Sequence, residues 1–334
     1  MDKTGIGDRM KSQYEHRTRQ YLPRRTNTII RLDGKAFHTY TKGLDKPFDE
    51  GFMEDMQQAA IALCEEIQGA KCAYCQSDEI SVLSTDYDTI NTDAYFDGNL
   101  QKITSVTAAT ATAAFLQARL RRGLIDKQRE FYENIDLDIK IANEKGGRKN
   151  KSKAPQLMQR SFNDLLLPTF DSRAFTIADK EEVVNNFIWR QQDAERNSIQ
   201  MLAQSLYSHN ELHKKNTSML QDMCFDKGHN WNDLHFSKKR GSLILRNTYV
   251  DGVILSKYTD IVAPYIPFPI GPKVLGEVFR AGNRYFQVGV HENFPKELNW
   301  LELNSPEIRT KWEVVDTPIF TKDRDIIKNL MPTI

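Results

Sequence analysis

The segment KCAYCQSDEISVL (Lys71–Leu83) consists of two apolar runs separated by one short polar turn. Lys71–Cys75 and Ile80–Leu83 have the composition of β-strands, and the residues between them include the adjacent carboxylates of Asp78 and Glu79. The segment therefore predicts a β-hairpin with two negative charges at its tip. Because neighbouring carboxylates repel each other, such a tip needs a cation or a positively charged partner.

The elements around this hairpin predict the fold class. They are a strand at Asn27–Leu32, a helix from Asp49 to about Ile67, an Ala-rich helix from Gln101 to about Arg122 that ends before Gly123, and a strand at Thr169–Ile177. The order of strand, helix, hairpin, helix and strand is the ferredoxin-like arrangement, so the predicted fold class is α+β. In this arrangement the end of the first strand lies beside the hairpin tip, which brings Asp33 close to Asp78.

The rest of the chain predicts additions to this core. Asp179 is a helix-capping residue at the start of a long helix at about 180–207, and the polar segment 126–168 predicts an insertion. Near the C-terminus the pattern changes to short strands and loops with closely spaced prolines. We therefore expect one core domain over residues 1–240, with a strand-rich extension over 241–334 packed on it.

Composition indicates a soluble globular protein. The 334 residues are 40% hydrophobic and 27% charged, no apolar run is long enough to span a membrane, and the N-terminus lacks the apolar region of a signal peptide. Four cysteines are too few for a disulfide scaffold, so we expect a reducing, cytoplasmic location. Because the net charge is only +1, a nucleic acid would bind local basic patches, at residues 1–30 and 145–153. Solvated surface charge explains each patch equally well.

The carboxylates at Asp33, Asp78 and Glu79 suggest a metal site. Mg²⁺ prefers oxygen ligands, and the carbonyl of Gly34 is accessible because no side chain blocks its approach. Two such ions about 4 Å apart activate an attacking hydroxyl and stabilise a leaving pyrophosphate, as nucleotidyl transfer requires. Spacing alone also allows an ordinary turn at Asp33 and a solvated hairpin tip.

Several sequence blocks carry a family resemblance. They are RLDGKAFH (31–38), KPFD (46–49), QSDEIS (76–81), FDGNLQK (96–102), FDSRAF (170–175) and WRQQDAERNS (189–198). In this order they resemble the tRNA(His) guanylyltransferase-like family of 3′-to-5′ polymerases, over at least residues 8–240. The resemblance implies a polymerase palm-type core, two Mg²⁺ ions, ATP and GTP or other NTPs as substrates, tRNA as the partner, no membrane association and a homotetramer.

The same resemblance implies roles for individual residues. Catalysis is assigned to Asp33, Asp78 and Glu79, and metal binding to Asp33, Gly34 and Asp78. Nucleotide contacts are assigned to Lys35, Ala36, Phe37, His38, Lys46, Asp49, Ser77 and Lys102. RNA contacts are assigned to Arg31, Arg173, Arg190 and Asn197.

Two departures indicate a branch of this family. Enzymes that add one guanylate to tRNA(His) usually carry His-Ile-Asn-Asn where this chain has Glu195–Ser198, and two arginines where it has Gly98-Asn99. In both departures this chain resembles the Thg1-like branch of the family, which repairs 5′-truncated tRNAs. The implied function is template-dependent 3′-to-5′ addition of nucleotides to truncated tRNA, with ATP activation of a 5′-monophosphate.

Three alternatives stay open on the sequence. The first is a tRNA(His)-specific guanylyltransferase that adds one G at the 5′ end. The second is a nucleotide cyclase or other transferase with the same metal site, because a fold and its metals do not fix the acceptor. The third is a non-catalytic RNA-binding relative, against which the intact Asp33, Asp78 and Glu79 argue.

Overall fold

The computed structural model describes residues 5–144, 167–254, 278–281, 284–288 and 300–333. The chain divides into two compact units, one formed by Met1–Leu245 with Val314–Ile334 and the other by Arg246–Glu313. All the predicted site residues belong to the first unit. The predicted domain boundary at residue 240 and the packing of a C-terminal extension stay predictions.

The helices and strands follow one another along the chain. In order they are α1 (Ile6–Met10), β1 (Asn27–Gly34), α2 (Phe37–Tyr40), α3 (Glu50–Glu66), β2 (Ala70–Gln76), β3 (Glu79–Thr85), α4 (Leu100–Glu144), β4 (Phe170–Ile177), α5 (Lys180–Leu206), α6 (His209–Leu212), α7 (Thr217–Asp226), α8 (Phe236–Arg240), β5 (Ser242–Ile254), β6 (Val278–Ala281), β7 (Arg284–Val288), β8 (Trp300–Val315) and α9 (Asp325–Lys328). In the second unit β7 pairs antiparallel with both β6 and β8.

The first unit contains an antiparallel sheet with the strand order β4-β1-β3-β2-β5. The series β1, α3, β2, β3, α4, β4 has the ferredoxin-like topology, so the predicted α+β palm-type fold is confirmed. The pairing of β1 with β3 runs from Asn27 opposite Thr85 to Asp33 opposite Glu79. The end of β1 therefore lies beside the start of β3, at the tip of the predicted hairpin.

Strand alternation gives the sheet two apolar faces. Ile29 and Tyr74 pack against Phe187 of α5, on one side of the sheet. Ile30, the next residue of β1, is fully buried and by the alternation of strand side chains points to the opposite face. On that face α4 covers the sheet, where Phe115 lies 5.8 Å from Phe170 between ring centroids. Each such fully buried side chain contributes about 1.5–3 kcal/mol.

Helix α4 is longer than the sequence predicted. The prediction that it ends before Gly123 was wrong, because the helix continues to Glu144. A Cβ at Gly123 would have no atom within 4 Å, so glycine serves no capping or packing purpose there. Its intrinsic cost of about 1 kcal/mol relative to alanine is too small to end a helix that good helix formers continue on both sides. Within the described chain, no helix is long and apolar enough to span a bilayer.

The C-terminal residues complete the core of the first unit. Phe320, Ile327 and Met331 are buried in the cluster that also contains Phe187. At the surface, Glu181 accepts hydrogen bonds from two basic residues of this segment, including one at 2.8 Å from Arg324. The sequence alone predicted no role for these residues, and the structure shows that they stabilise the start of α5.

Candidate active site

The hairpin tip brings two carboxylates together. Gln76 pairs with Glu79, so the turn is Ser77-Asp78, and Ser77 adopts a left-handed conformation with φ of 49°. The amide of Gly34 donates a hydrogen bond of 3.0 Å to the carbonyl of Asp78, which joins the tip to the end of β1. The structure therefore places Asp33 and Asp78 at one edge of the sheet.

Gly34 is required by packing rather than by its backbone angles. A Cβ at this position would lie 2.5 Å from the ring of Phe37, which is a severe overlap. Phe37 is buried and packs against Phe170 at 5.0 Å and Phe115 at 5.7 Å between ring centroids. Ala36, with φ of 56°, turns the chain between Gly34 and this aromatic cluster. The loop after Asp33 is thus held rigidly.

The residues at this edge fit a divalent cation. Burial raises the pKa of the Asp78 carboxyl, and the negative charge of Asp33 raises it further. A cation between the two carboxylates would offset the repulsion between their negative charges and lower the pKa of Asp78. Within the described ranges, no group of three or more His, Cys, Asp or Glu side chains is arranged to hold a metal. A metal here would therefore use Asp33, Asp78 and the Gly34 carbonyl, with phosphates or water as its other ligands.

Glu79 lies beside this edge but is engaged by arginines. Its Oε2 atom lies 2.9 Å from a guanidinium nitrogen of Arg190 and 3.2 Å from one of Arg31. The side chains of Glu79 and Arg190 are only 7% and 6% exposed. Burial raises the pKa of Glu79, and the two arginines oppose that rise. Glu79 therefore anchors the arginines, and its predicted catalytic role stays a prediction.

A cavity of about 510 Å³ opens beside the hairpin tip, where Asp78 forms part of its lining. Its volume is in the range of small-molecule sites, which is about 300–1,000 Å³. Among the predicted residues, those that line it are Phe37, His38, Lys46, Asp49, Ser77 and Asp78. Helix α5 contributes Met201, Gln204 and Ser205, which the sequence analysis missed because nothing in their helical spacing distinguishes them from other surface residues.

Three of the predicted nucleotide-binding residues, Lys35, Ala36 and Lys102, lie outside the cavity lining. Lys35 and Ala36 are exposed in the loop after β1, and neither lines the cavity. Lys102 lies in the first turn of α4 with its ammonium 5.8 Å from the ring centroid of Phe96. Asp49 lines the cavity but also caps α3, because its carboxylate accepts a hydrogen bond of 2.7 Å from the amide of Phe52. These nucleotide contacts stay predictions.

A smaller cavity of about 80 Å³ shares part of this lining. It includes Asn197, which we predicted to contact RNA, together with Lys238 and Lys239 of α8. The sequence analysis missed these two lysines, although three consecutive basic residues in FSKKR were a signal that could have found them. Lys238 is paired with Glu50 at 2.6 Å, and Lys239 donates a hydrogen bond of 2.6 Å to the carbonyl of Asn232.

The other predicted RNA-contacting residues are arginines in different environments. Arg173 is exposed and paired with Asp171 at 2.9 Å, whereas Arg31 is one-fifth exposed. Arg190 is buried. Its guanidinium forms an ion pair with Glu79 and lies over the ring of Trp189, 3.4 Å from the ring centroid. The basic loop 145–153 lies outside the described residues, and its RNA binding stays a prediction.

Comparisons with known proteins agree with this geometry. The family model described as tRNAHis guanylyltransferase (Thg1) matches residues 7–178. A bacterial Thg1-like protein solved in complex with ATP is 33% identical, with a TM-score of 0.63 over 97% of this chain and 98% of that chain. The same kind of protein in complex with GTP is 32% identical, with a TM-score of 0.59 over 98% of each chain. A probable tRNA(His) guanylyltransferase of Dictyostelium discoideum is 23% identical over 65% of this chain and 74% of its own.

Proposed function

This chain belongs to the tRNAHis guanylyltransferase (Thg1) family of nucleotidyltransferases, and we propose that it extends the 5′ ends of truncated tRNAs in the 3′-to-5′ direction. Each added nucleotide is chosen by the opposing template base, and ATP activates a 5′-monophosphate first. The observation that carries the proposal is that Asp33 and Asp78 lie at one edge of the sheet and that Asp78 lines a nucleotide-sized cavity. The similarity to Thg1-like proteins solved with ATP and with GTP supports both nucleotides as ligands.

The site residues divide the work of this reaction. Mg²⁺ ions held by Asp33, Asp78 and the Gly34 carbonyl would activate a 3′-hydroxyl and stabilise pyrophosphate. Lys46 lines the cavity, makes no ion pair with any described residue and supplies positive charge to the triphosphate. Burial and Asp33 raise the pKa of Asp78, and His38 opposes that rise and so favours the ionised carboxylate. Transfer of this kind depends mostly on positioning and on neutralising charge.

The Gly98-Asn99 segment supports the repair branch. Gly98 has φ of 73°, and a Cβ there would lie 3.0 Å from the carbonyl oxygen of Leu22, so an arginine at this position would strain the present loop. The side chain of Asn99 accepts a hydrogen bond of 3.1 Å from the amide of Lys102 and thereby caps α4. The two residues thus form a closed turn in place of the arginine pair found in enzymes dedicated to tRNA(His).

A competition experiment tests this proposal. Truncated tRNAs that differ only in the template base are incubated with Mg²⁺ and pairs of NTPs, and incorporation at the 5′ end is sequenced. Preference for the NTP that matches each template base, with addition ending when the acceptor stem is complete, is the expected result. Use of GTP whatever the opposing base, and only on tRNA(His), would restore the alternative of a guanylyltransferase that adds one G. The homotetramer and the cytoplasmic location stay predictions.

A further inference from the structure

Trp189 is an exposed indole beside the buried ion pair of Arg190 and Glu79. The residue is 49% exposed and lies in the first half of α5. The guanidinium of Arg190 lies 3.4 Å from the ring centroid and that of Arg31 lies 5.8 Å from it. Arginines therefore hold the ring in place although half of it contacts solvent. A fixed aromatic surface of this kind is suited to stacking against another planar group.

A second cavity of about 510 Å³ adjoins Trp189. It is lined by Trp189, Gln192, Glu195, Arg196, Ile199, Thr217, Gln221 and Trp231. The indole of Trp231 is oriented by a hydrogen bond of 2.9 Å from its Nε1 atom to Ser198. The side-chain amides of Gln192 and Gln221 make no hydrogen bond to any described part of the chain, so both are available to a ligand. The cavity thus combines aromatic walls with amides that both donate and accept.

The charge of this cavity limits what it accepts. Among the described residues, its ionisable lining groups are the guanidinium of Arg196 and the carboxylate of Glu195, and Arg196 is already paired with Asp193 at 2.6 Å. A free nucleoside triphosphate needs several positive charges, which this lining lacks. One nucleotide within a strand brings a single phosphate charge, and an aromatic platform binds any base by its face.

The cavity is also connected to the edge of the sheet that carries Asp33 and Asp78. Arg190, which stacks on Trp189, hydrogen-bonds to Glu79 at 2.9 Å, and Glu79 pairs across the sheet with Asp33. Trp189 is therefore linked through Arg190 and Glu79 to the strand pair that carries Asp33. This connection favours the nucleic acid under reaction over an unrelated ligand.

We propose that this cavity binds one unpaired nucleobase of the RNA substrate, stacked on Trp189 and hydrogen-bonded by Gln192 or Gln221. The inference rests on the proposed function for the identity of the strand. It adds a site outside the nucleotide cavity, one that distinguishes an RNA end with a single-stranded tail from a blunt end. Such a site would hold the acceptor end of the RNA while nucleotides are added beside Asp33.

The test measures RNA binding without any reaction. The dissociation constant is measured without NTPs for one RNA hairpin with a blunt end and for the same hairpin with a short single-stranded tail. Wild-type protein should favour the tailed RNA, and Trp189→Ala should weaken tailed binding by about 5- to 150-fold while leaving blunt binding unchanged. Trp189→Phe should retain most of the affinity. Phe225→Ala, an exposed aromatic of α7 outside the cavity lining, is the matched control and should change nothing.

Two results of the binding assay would overturn the proposal. One is equal binding of tailed and blunt RNA by the wild-type protein, and the other is unchanged tailed binding in Trp189→Ala with wild-type circular dichroism. A photoreactive base in the tail should crosslink to Trp189 or its neighbours, and a crosslink to the nucleotide cavity instead would also refute it. Because none of these readouts involves nucleotide transfer, a failure of templated addition is distinguishable from a failure of this site.

Discussion

Replacing Arg190 by methionine tests whether the buried ion pair with Glu79 stabilises the fold beside Asp33 and Asp78. The two side chains are 6% and 7% exposed and lie 2.9 Å apart, so the substitution leaves a buried carboxylate with reduced compensation. Loss of one partner of a buried pair typically costs about 3–5 kcal/mol. Because Arg31 remains 3.2 Å from the same oxygen, we expect Arg190→Met to lower the free energy of unfolding by about 2–4 kcal/mol.

The matched control for this change is Arg173→Met. Arg173 and Asp171 also lie 2.9 Å apart, but their side chains are 53% and 55% exposed. An exposed pair of this kind contributes about 0–1 kcal/mol. Urea unfolding followed by circular dichroism measures both variants, and equal losses would refute the claim that burial makes the Glu79 pair important.

The effect of pH gives the same prediction a second readout. Burial raises the pKa of Glu79 in the folded protein, so its contribution to stability is fully present below the unfolded pKa and is lost as pH rises through the folded pKa. Removing Arg190 enlarges that loss, because the ionised carboxylate then has one guanidinium fewer. The stability deficit of Arg190→Met should therefore be larger at neutral pH than in acid. A deficit independent of pH would show that lost packing, rather than charge, causes it.

Three further predictions address the site and the RNA. Asp78→Asn should abolish nucleotide incorporation. Because burial and Asp33 raise the pKa of this carboxyl, the same substitution should raise the urea midpoint of the metal-free protein at neutral pH but not in acid. An unchanged urea midpoint at neutral pH would contradict this prediction. Gly34→Ala should destabilise by about 1–3 kcal/mol in the same unfolding assay, since its Cβ would overlap the ring of Phe37 at 2.5 Å, and a neutral result would disprove the packing argument. Neutralising the basic side chains of loop 145–153 should weaken tRNA binding and flatten its salt dependence, measured from about 50 to 200 mM salt; identical slopes would leave the loop as solvated surface.

The convergence of Asp33 and Asp78 could be anticipated because it depends on local pattern and topology. Two apolar runs around a polar turn specify a hairpin, and the ferredoxin-like order then places the end of β1 beside its tip. The end of α4 could not be predicted in the same way. Gly123 carries an ordinary stop signal, and only the surrounding helix decides that the signal is overridden.

The ion pair between Glu79 and Arg190 could not be predicted from the sequence, for a different physical reason. Arg190 lies 111 positions away, on a helix of another layer, and its charge indicated an exposed RNA contact equally well. A charged residue does not reveal from its own neighbours whether it will be buried with a counter-charge. The same limit applies to Met201, whose contribution to the cavity depends on where α5 crosses the sheet.

Direct observation of growth at the 5′ end tests the central claim that Asp33 and Asp78 support 3′-to-5′ nucleotide transfer. A tRNA lacking its first nucleotide and labelled at its 3′ end is incubated with Mg²⁺, ATP and the NTP that matches the template, and products are resolved at single-nucleotide resolution. The wild-type protein should lengthen the RNA by the matched 5′ nucleotide, and Asp33→Asn, shown by circular dichroism to be folded, should not. Extension by Asp33→Asn at a rate close to wild type, or no extension by the wild-type protein with any truncated tRNA, would contradict the claim.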